Sequence, residues 1–466
     1  MLAGGSYVGW KVYRYKTYIW LPYYFKNSCA NNLAELAGGH VIFLIADHHE
    51  PGFGEKGLQK SRAWCSDYRR IVDGIYDDYG NPVQYTWFYP YDHLNSEVVL
   101  HLNQMVFDGL GEIEFQWHHG PDDDGTFRQK LGDAVGWFNS HGCMLSSGKT
   151  PKPHFGFVHG NWALDNSPGD QKYCGVNREL DILKEYGCYA DFTFATLATE
   201  AQPSMVNCIY YAKDTSDPKS YDYGRLAEVG YSSSDFMIFQ GPMSCDWHDL
   251  VWDCAALEST SPFRQHRAKL WLKFSPTVKR RADWLFLKVY THGVQSKDTI
   301  LDENFREMFS ELKKECGEYG LKIHFVTARE AYNIVKAAED GHMGNPEDYR
   351  DYAVPKPINR LVRIDAGLAS IMLSESEANI ELLAPENASL LFKAGSVQEV
   401  SGFLARYQYR HDDTEKPFVG LEGKGTIRVV SNAPLEFRNK VLGHAEKEGH
   451  RHVYTVEAAD LTSHQP

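Results

Sequence analysis

The chain has 466 residues, 43% of them hydrophobic, which is enough to bury the core of one large domain and a smaller one. Its formal net charge of −14 argues against a nucleic-acid partner, because such a partner requires a broad basic surface to neutralise phosphates. The nine cysteines are scattered without a C-x-x-C pair, which predicts reduced thiols and a cytoplasmic protein rather than a disulfide framework.

Residues 1–40 are predicted to form an N-terminal arm rich in aromatic and basic side chains, with no acidic residue between positions 7 and 26. Aromatic and basic side chains together suit a membrane interface, so residues 7–26 are a candidate for peripheral contact with the membrane surface. The alternative is that the arm packs its rings on the main domain. No window approaches the roughly 20 apolar residues of a membrane-spanning helix.

Residues 41–352 alternate between predicted strands and predicted helices. The predicted strands cover residues 41–47, 84–90, 112–118, 154–159, 189–194, 208–212, 236–240, 284–291 and 322–326. The predicted helices cover residues 59–79, 96–107, 126–140, 177–187, 262–282, 301–317 and 328–339. This alternation is typical of α/β proteins with a mostly parallel sheet, so we expect a (β/α) barrel, distorted or seven-stranded.

The sequence pattern changes after about residue 352, where helical periodicity disappears. Short alternating runs follow at residues 361–364, 380–383, 389–393, 402–409, 426–430 and 452–456. Turn residues separate these runs, which predicts a small antiparallel β domain over residues 358–466, similar to a sandwich. It contains few candidate catalytic groups, so we expect an accessory role.

Four of the predicted strands end in polar residues that could act together. These residues are Asp47, His48, His49 and Glu50 after the first strand, His118 and His119 on the third, His159 on the fourth, and His292 after residues 284–291. Because the carboxyl ends of parallel strands meet at one edge of a sheet, we expect one shared site. A polar surface turn is the alternative for residues 47–50.

His118 and His119 are predicted metal ligands, since two neutral imidazoles beside carboxylates suit zinc or another first-row divalent ion with an open water position. Asp47 and His48 could serve the same metal, either by ligation or through the carboxylate acting as a base on water. His292 follows an apolar strand and is a candidate general acid.

The loop after the fourth strand has the composition of a sugar-binding surface. Its candidate substrate-binding residues are His159, Asn161, Trp162, Asp165 and Asn166. Amides and carboxylates can bond hydroxyl groups, and an indole offers a flat face to a pyranose ring. The alternative is a structured loop whose tryptophan plugs the barrel edge. Asp191, inside an aromatic strand, either binds substrate or belongs to a buried hydrogen-bond network.

These residues together give the chain a resemblance to the polysaccharide deacetylase (NodB-homology) superfamily. The resemblance is strongest to a branch with the motifs A-D-H-x-E-P, H-x-H-H and F-x-H-G-N-W-A-L-D-N-S, which correspond to residues 46–51, 116–119 and 157–167. It covers residues 41–352. The chain departs from the superfamily at His48, where aspartate is usual, and from the branch at Gln116, which replaces a histidine.

The resemblance implies a distorted (β/α) barrel in which a divalent metal assists hydrolysis of an N-acetyl group on a sugar. In that family pattern Asp47 corresponds to the base and His48 to a metal ligand. His118 and His119 correspond to the two-histidine ligand motif, and His292 corresponds to the acid. If Asp47 is itself a ligand, the base must be another carboxylate, with Glu50 and Asp165 as candidates.

The leading hypothesis is therefore a metal-dependent hydrolase that uses a divalent ion, with zinc as the candidate, and removes an acyl group from a sugar or polysaccharide. One alternative is a glycoside hydrolase that uses a carboxylate pair, such as Glu50 or Asp165 with Asp191. The other is a glycan-binding protein without catalysis. Metal content separates the first hypothesis from the other two.

Overall fold

The computed structural model describes residues 13–27, 30–141, 143–144, 152–169 and 171–357, together with the backbone of the strands between residues 361 and 457. The chain divides into two compact units, Met1–Pro357 and Ile358–Pro466.

The first unit alternates strands with helices. Its helices are α1 (Thr17–Asn27), α2 (Gly54–Val72), α3 (Ser96–Phe107), α4 (Asp124–Ser140), α5 (Glu179–Glu185), α6 (Gln265–Phe274), α7 (Lys297–Ile300), α8 (Glu303–Glu318) and α9 (Ala328–Glu339). Its strands are β1 (His40–His48), β2 (Tyr85–Pro90), β3 (Gly111–Trp117), β4 (Phe155–His159), β5 (Cys188–Asp191), β6 (Ile209–Ala212), β7 (Arg225–Leu226), β8 (Phe236–Phe239), β9 (Ser244–Asp246), β10 (Val251–Asp253), β11 (Ala256–Leu257), β12 (Thr277–Val278), β13 (Arg281–Thr291) and β14 (Lys322–Phe325).

One twelve-stranded sheet organises this unit, with the order β11-β13-β1-β2-β3-β4-β5-β8-β6-β7 and with β12 and β14 paired beside it. The ladder is parallel from β11 to β8, and β6 reverses the direction at one end. The predicted α/β class with a mostly parallel sheet is thereby confirmed. Among the described residues no pairing joins β7 to β11, so a closed barrel is not shown.

The parallel register brings several strand ends to one edge. Asp47 is paired with Thr291 at the end of β13, and Trp117 is paired with His159 at the end of β4. Because these strands are parallel, the residues that follow them leave the sheet at the same edge, as predicted for the strand ends.

The strand β1 is buried on both faces. Its odd-numbered residues Val41, Phe43 and Ile45 pack in one apolar core, and its even-numbered residues Ile42, Leu44 and Ala46 pack in another. Successive side chains of a strand point to opposite faces, so the same alternation must continue into the polar residues at the strand's end.

The predicted helix over residues 262–282 is wrong in its second half. Helix α6 ends at Phe274, and β12 then pairs antiparallel with β13, which begins at Arg281. The cause is local, because Pro276 disfavours helical geometry at the preceding residue, and Ser275 has an extended ψ of 132°. The predicted helix over 59–79 likewise ends early, at Val72.

Helix α1 holds part of the N-terminal arm against the main body of this unit. The Trp20 side chain is fully buried and contacts Trp252 edge to face, with ring centroids 4.6 Å apart. Tyr24 stacks on Phe274 at 5.9 Å. Phe25 remains 77% exposed, and membrane contact by residues 7–26 stays a prediction, with residues 7–12 outside the described chain. Within the described residues, no helix has both the length and the apolar character needed to cross a bilayer.

The second unit is antiparallel β structure, as its sequence pattern predicts. A six-stranded sheet has the order β19-β16-β15-β22-β24-β23, and a four-stranded sheet has the order β17-β18-β21-β20. The bounds are β15 Leu361–Ala366, β16 Ala369–Ser374, β17 Asn379–Leu383, β18 Ser389–Lys393, β19 Ser396–Ser401, β20 Arg410–His411, β21 Pro417–Glu422, β22 Thr426–Ser431, β23 Glu446–Glu448 and β24 Arg451–Glu457. The predicted strand at 402–409 lies outside the described residues, and a sandwich arrangement stays a prediction.

Glu114 of β3 is a buried carboxyl group whose titration should affect folding. It accepts hydrogen bonds from the Tyr189 hydroxyl and the Gly156 amide. Burial nevertheless raises the pKa of Glu114 from its ordinary value of 4.5 to about 8. In the folded protein the group therefore stays protonated over a pH range in which the unfolded chain ionises it.

We expect the free energy of unfolding of the wild type to fall, relative to that of Glu114→Gln, as the pH rises from 4.5 to 8. Ionisation favours the unfolded chain throughout this window, by at most about 1.4 kcal/mol per pH unit, and the difference levels off above the folded-state pKa. Urea unfolding at several pH values measures the difference. The exposed Glu318→Gln is the matched control, and parallel pH curves for wild type and Glu114→Gln would contradict the prediction.

Candidate functional site

Strand alternation separates Asp47 from His48. Asp47 is fully buried, and its oxygens accept hydrogen bonds from His49 Nδ1 at 2.9 Å and from the Gly293 amide at 2.5 Å. His49 in turn contacts the Ser61 hydroxyl at 3.2 Å. Both oxygens of the predicted base are thus occupied inside the protein, and burial raises the pKa of Asp47. Asp47 therefore stabilises the segment after β13 and lies out of reach of a substrate at the surface.

His48 points the other way and joins a group that we call the rim cluster: His48, Glu50, His118 and His292. Ligand atoms of His48, Glu50 and His292 all lie within 4.8 Å of one another. The Nε2 atom of His118 is 3.4 Å from Oε1 of Glu50. Three of the four residues are partly exposed, so an external molecule can reach the cluster.

Two carboxylates fix the orientation of the rim imidazoles. Asp92 accepts hydrogen bonds from the backbone amide and Nδ1 of His118, at 3.1 and 3.2 Å. Glu258 does the same for His292, at 3.0 and 2.7 Å. Because each Nδ1 atom donates to a carboxylate, the Nε2 atom of each ring is turned toward the cluster, where that of His118 faces Glu50. Burial, reinforced by His292, holds the pKa of His48 well below its usual range, so this ring stays neutral.

Glu50 is the carboxylate of the rim cluster. Its two oxygens accept hydrogen bonds from the side-chain amides of Gln116 and Gln295. Burial alone would raise the pKa of Glu50, but the hydrogen bond from His118 and the charges around it hold the value at about 2. Gln116 is fully buried, and no donor within the described residues reaches its Oε1 atom. Two imidazoles and a carboxylate are a donor set that fits a divalent metal with an open position.

A second group, which we call the buried cluster, consists of His119, His159, Cys174 and Glu179. The Nε2 atom of His119 is 3.0 Å from Oε1 of Glu179 and 3.0 Å from Nε2 of His159. The Cys174 Sγ atom is 3.4 Å from the other oxygen of Glu179. Both imidazole side chains and the Glu179 carboxylate have no solvent exposure, and these four residues could hold a metal.

The structure therefore divides the predicted metal ligands between two clusters. His118 and His119 are successive residues at the end of β3, and they turn to opposite sides. No set of grouped ligand atoms in the described residues contains both His48 and His119. Predicted as a substrate contact, His159 is instead part of the buried cluster, and its pKa is lowered to about 4 by burial.

The predicted sugar-binding residues are mostly internal. Asp165 and Asn166 are buried, and they bond the Ser220 amide and the Asn177 side chain. Asn161 is exposed and Trp162 is half-buried, so these two residues of the loop can touch an external ligand.

Asp191 belongs to a buried hydrogen-bond network, which was the alternative interpretation of this residue. It is fully buried and accepts hydrogen bonds from the amide and the hydroxyl of Thr193, at 3.0 and 2.6 Å. Burial raises its pKa, and the neighbouring ammonium group of Lys288 opposes that rise. A carboxylate in this position does not meet a surface-bound sugar.

Cys174 and Glu179 of the buried cluster were not identified from the sequence, nor were the carboxylates that bind the rim histidines. Asp92 lies two residues after the end of β2 and Glu258 directly follows β11, so the strand-end signal used for the histidines could have found them. Cys174 lies in a loop, and Glu179 begins α5. Neither follows a strand, and no spacing in the sequence links them to His119.

No family model and no curated protein matches the chain. Among solved structures it resembles one from Parabacteroides distasonis that is named as a glycoside hydrolase/deacetylase. That match has 9% sequence identity and a TM-score of 0.33, and it covers 78% of this chain and 86% of the other. A likeness this distant supports no statement about chemistry.

Gly160 provides a structural test of the rim cluster. A Cβ atom at this position would lie 2.2 Å from Cδ2 of His118, so Gly160→Ala should push the ring away from Asp92. We expect the His118 Nδ1–H signal to be lost in NMR spectra of protein labelled with ¹⁵N-histidine, together with reduced stability to urea.

The matched control is Gly136→Ala in α4, where nothing lies within 4 Å of the added carbon. Alanine in a helix interior should stabilise that variant by about 0.5–1 kcal/mol. An unchanged His118 signal in Gly160→Ala would contradict the described packing.

Proposed function

We propose that this protein is a metal-dependent hydrolase that removes an acyl group, in particular an N-acetyl group, from a sugar or polysaccharide. The proposal rests on the rim cluster, where the ligand atoms of His48, Glu50 and His292 converge. Beside them lies His118, whose orientation is fixed by Asp92. The cluster is accessible from outside the protein. The same proposal includes the distorted (β/α) barrel that the family resemblance implies, which the parallel run from β11 to β8 supports.

His48, Glu50 and His292 are the residues that would hold the metal. A set of two imidazoles and one carboxylate is found in zinc hydrolases that keep one position open for water or substrate. When bound, the ion would polarise the acyl carbonyl and acidify water. His292 thus changes from the predicted acid to a ligand, since Glu258 fixes its Nδ1 atom as carboxylates fix metal-bound histidines.

His118 would act as the general acid. Burial lowers the pKa of its ring, but the hydrogen bonds to Asp92 and Glu50 outweigh this and raise it to about 10, so Nε2 carries a proton. The oxygen of the metal-acidified water would bond to the acyl carbon while the water's proton passes to solvent. Nε2 would then give its proton to the amine nitrogen as the C–N bond breaks, so that acetate and a free amine leave and His118 regains a proton from solvent.

Asp47 is the base suggested by the resemblance. In this proposal it instead accepts a hydrogen bond from the amide of Gly293 and so positions the neighbouring residue His292.

Asn161 and Trp162 would contact the sugar. They follow Gly160, which lies against the ring of His118, so a sugar bound on them would be next to the rim cluster. The indole can stack on a pyranose and the amide can bond a hydroxyl group. The glycosidase alternative is less favoured, because Asp165 and Asp191 are both fully buried.

The proposal predicts that acetate release depends on a metal held by His48. The assay measures acetate liberated from N-acetylglucosamine oligomers and from O-acetylated xylan by purified protein. Treatment with a chelator should abolish release and zinc should restore it, while His48→Ala should lose both the rim metal and turnover. His342→Ala, at an exposed histidine of neither cluster, should behave as the wild type. Full acetate release by metal-stripped protein would refute metal dependence.

We also expect Asp92→Asn to keep its metal and lose turnover by roughly 10²–10⁴, because the asparagine no longer holds the His118 ring in its protonated form. Metal content and kcat are measured on the same preparation. Since the two side chains act as one unit, Asp92→Asn combined with His118→Ala should cost no more than His118→Ala alone. Additive losses would show that Asp92 acts independently of His118.

A further inference from the structure

The buried cluster has an arrangement of lone pairs that calls for a positive charge between them, either a proton or a metal ion. The Nδ1 atom of His119 donates to the Asp122 carboxylate at 3.1 Å, and the Nδ1 atom of His159 donates to the Gly160 carbonyl at 2.5 Å. Both partners can only accept, so in the neutral rings both Nε2 atoms carry lone pairs. These lone pairs meet 3.0 Å apart, with an oxygen of Glu179 beside them.

The distances within the cluster suit a single small ion. Bonds of about 2.0–2.1 Å in a tetrahedron place ligand atoms about 3.3 Å apart. The Nε2 atoms of His119 and His159 lie 3.0 and 3.5 Å from the same Glu179 oxygen. Cys174 completes the set with a sulfur atom.

We infer that His119, His159, Cys174 and Glu179 form a structural zinc site distinct from the rim cluster. Four buried protein ligands leave no open position for water or substrate, which is the pattern of structural rather than catalytic zinc. The Asp122 carboxylate and the Gly160 carbonyl hold the two imidazoles as outer partners do in such sites. Zinc binding releases the thiol proton of Cys174 to solvent, so occupancy rises with pH.

The site would cross-link the ends of β3 and β4 to the loop before α5 and to the first residue of α5. That loop needs such support, because Asn161, Trp162, Asp165 and Asn166 all have positive φ angles between 50° and 57°. Side-chain-bearing residues adopt this conformation only where surrounding contacts enforce it. One contact is already present, since Glu179 accepts a hydrogen bond from the Asp165 amide at 2.6 Å.

Cobalt substitution tests the inference, because a thiolate–cobalt bond gives a charge-transfer absorption that imidazole and carboxylate ligands do not. The full-length protein is stripped, loaded with zinc or with cobalt chloride, and freed of excess ion. We expect the wild type to show the thiolate absorption and Cys174→Ser to lose it together with one equivalent of zinc. Thermal unfolding of Cys174→Ser should occur at a lower temperature.

Two further variants separate this site from the rim cluster and from general damage. His48→Ala should lose one zinc but keep the thiolate absorption, since the rim cluster contains no cysteine. Cys316→Ser, at a buried thiol of α8 outside both clusters, should keep the absorption and the zinc content. If Cys174→Ser does not fold, the inference is tested on His48→Ala alone. This variant must retain one zinc when loaded with zinc and must show the thiolate absorption when loaded with cobalt.

A wild type without the thiolate absorption, or an absorption that survives in Cys174→Ser, would overturn the inference. So would an NMR spectrum in which His119 Nε2 carries a proton in zinc-saturated protein, because a proton would then occupy the place of the ion. None of these results would bear on acetate release at the rim cluster, so the two proposals can fail separately.

Discussion

Burial of the central strands on both faces is the constraint on which both clusters depend. Alternate residues of β1 pack in two separate cores, so a polar residue at the strand's end must turn to one side or the other. Asp47 turns toward His49 and α2, whereas His48 turns toward His292. For the same reason His118 and His119 point to opposite faces, so the histidines at this edge of the sheet form two clusters of different chemistry.

Carboxylate partners then determine what each imidazole can do. Asp92, Asp122 and Glu258 each accept a hydrogen bond from the Nδ1 atom of one histidine. An imidazole held in this way presents its Nε2 atom to the cluster, and this is the atom that metal binding or proton transfer requires. A buried charged group destabilises the protein unless it keeps its hydrogen-bond partner. Removal of one of these carboxylates should therefore destabilise its cluster more than removal of a surface carboxylate.

The sequence allowed the α/β class, most strand positions and the assembly of His48, Glu50 and His292 to be predicted, because strand ends of a parallel sheet meet at one edge. It did not show that His118 and His119 diverge, since the face taken by each residue depends on the exact end of β3 and on long-range packing. Cys174 and Glu179 reach His119 through a loop and a helix start, and tertiary packing alone brings them there.

The segment after β4 connects the two clusters physically. His159 belongs to the buried cluster, and its neighbour Gly160 approaches the ring of His118 at a distance that leaves no room for a side chain. Asn161 and Trp162 follow in left-handed conformations and retain surface exposure. The surface that a ligand at the rim cluster would contact, at Asn161 and Trp162, therefore continues directly from His159 of the buried cluster. The shape of this surface depends on the backbone next to His159 as much as on the side chains that face the ligand.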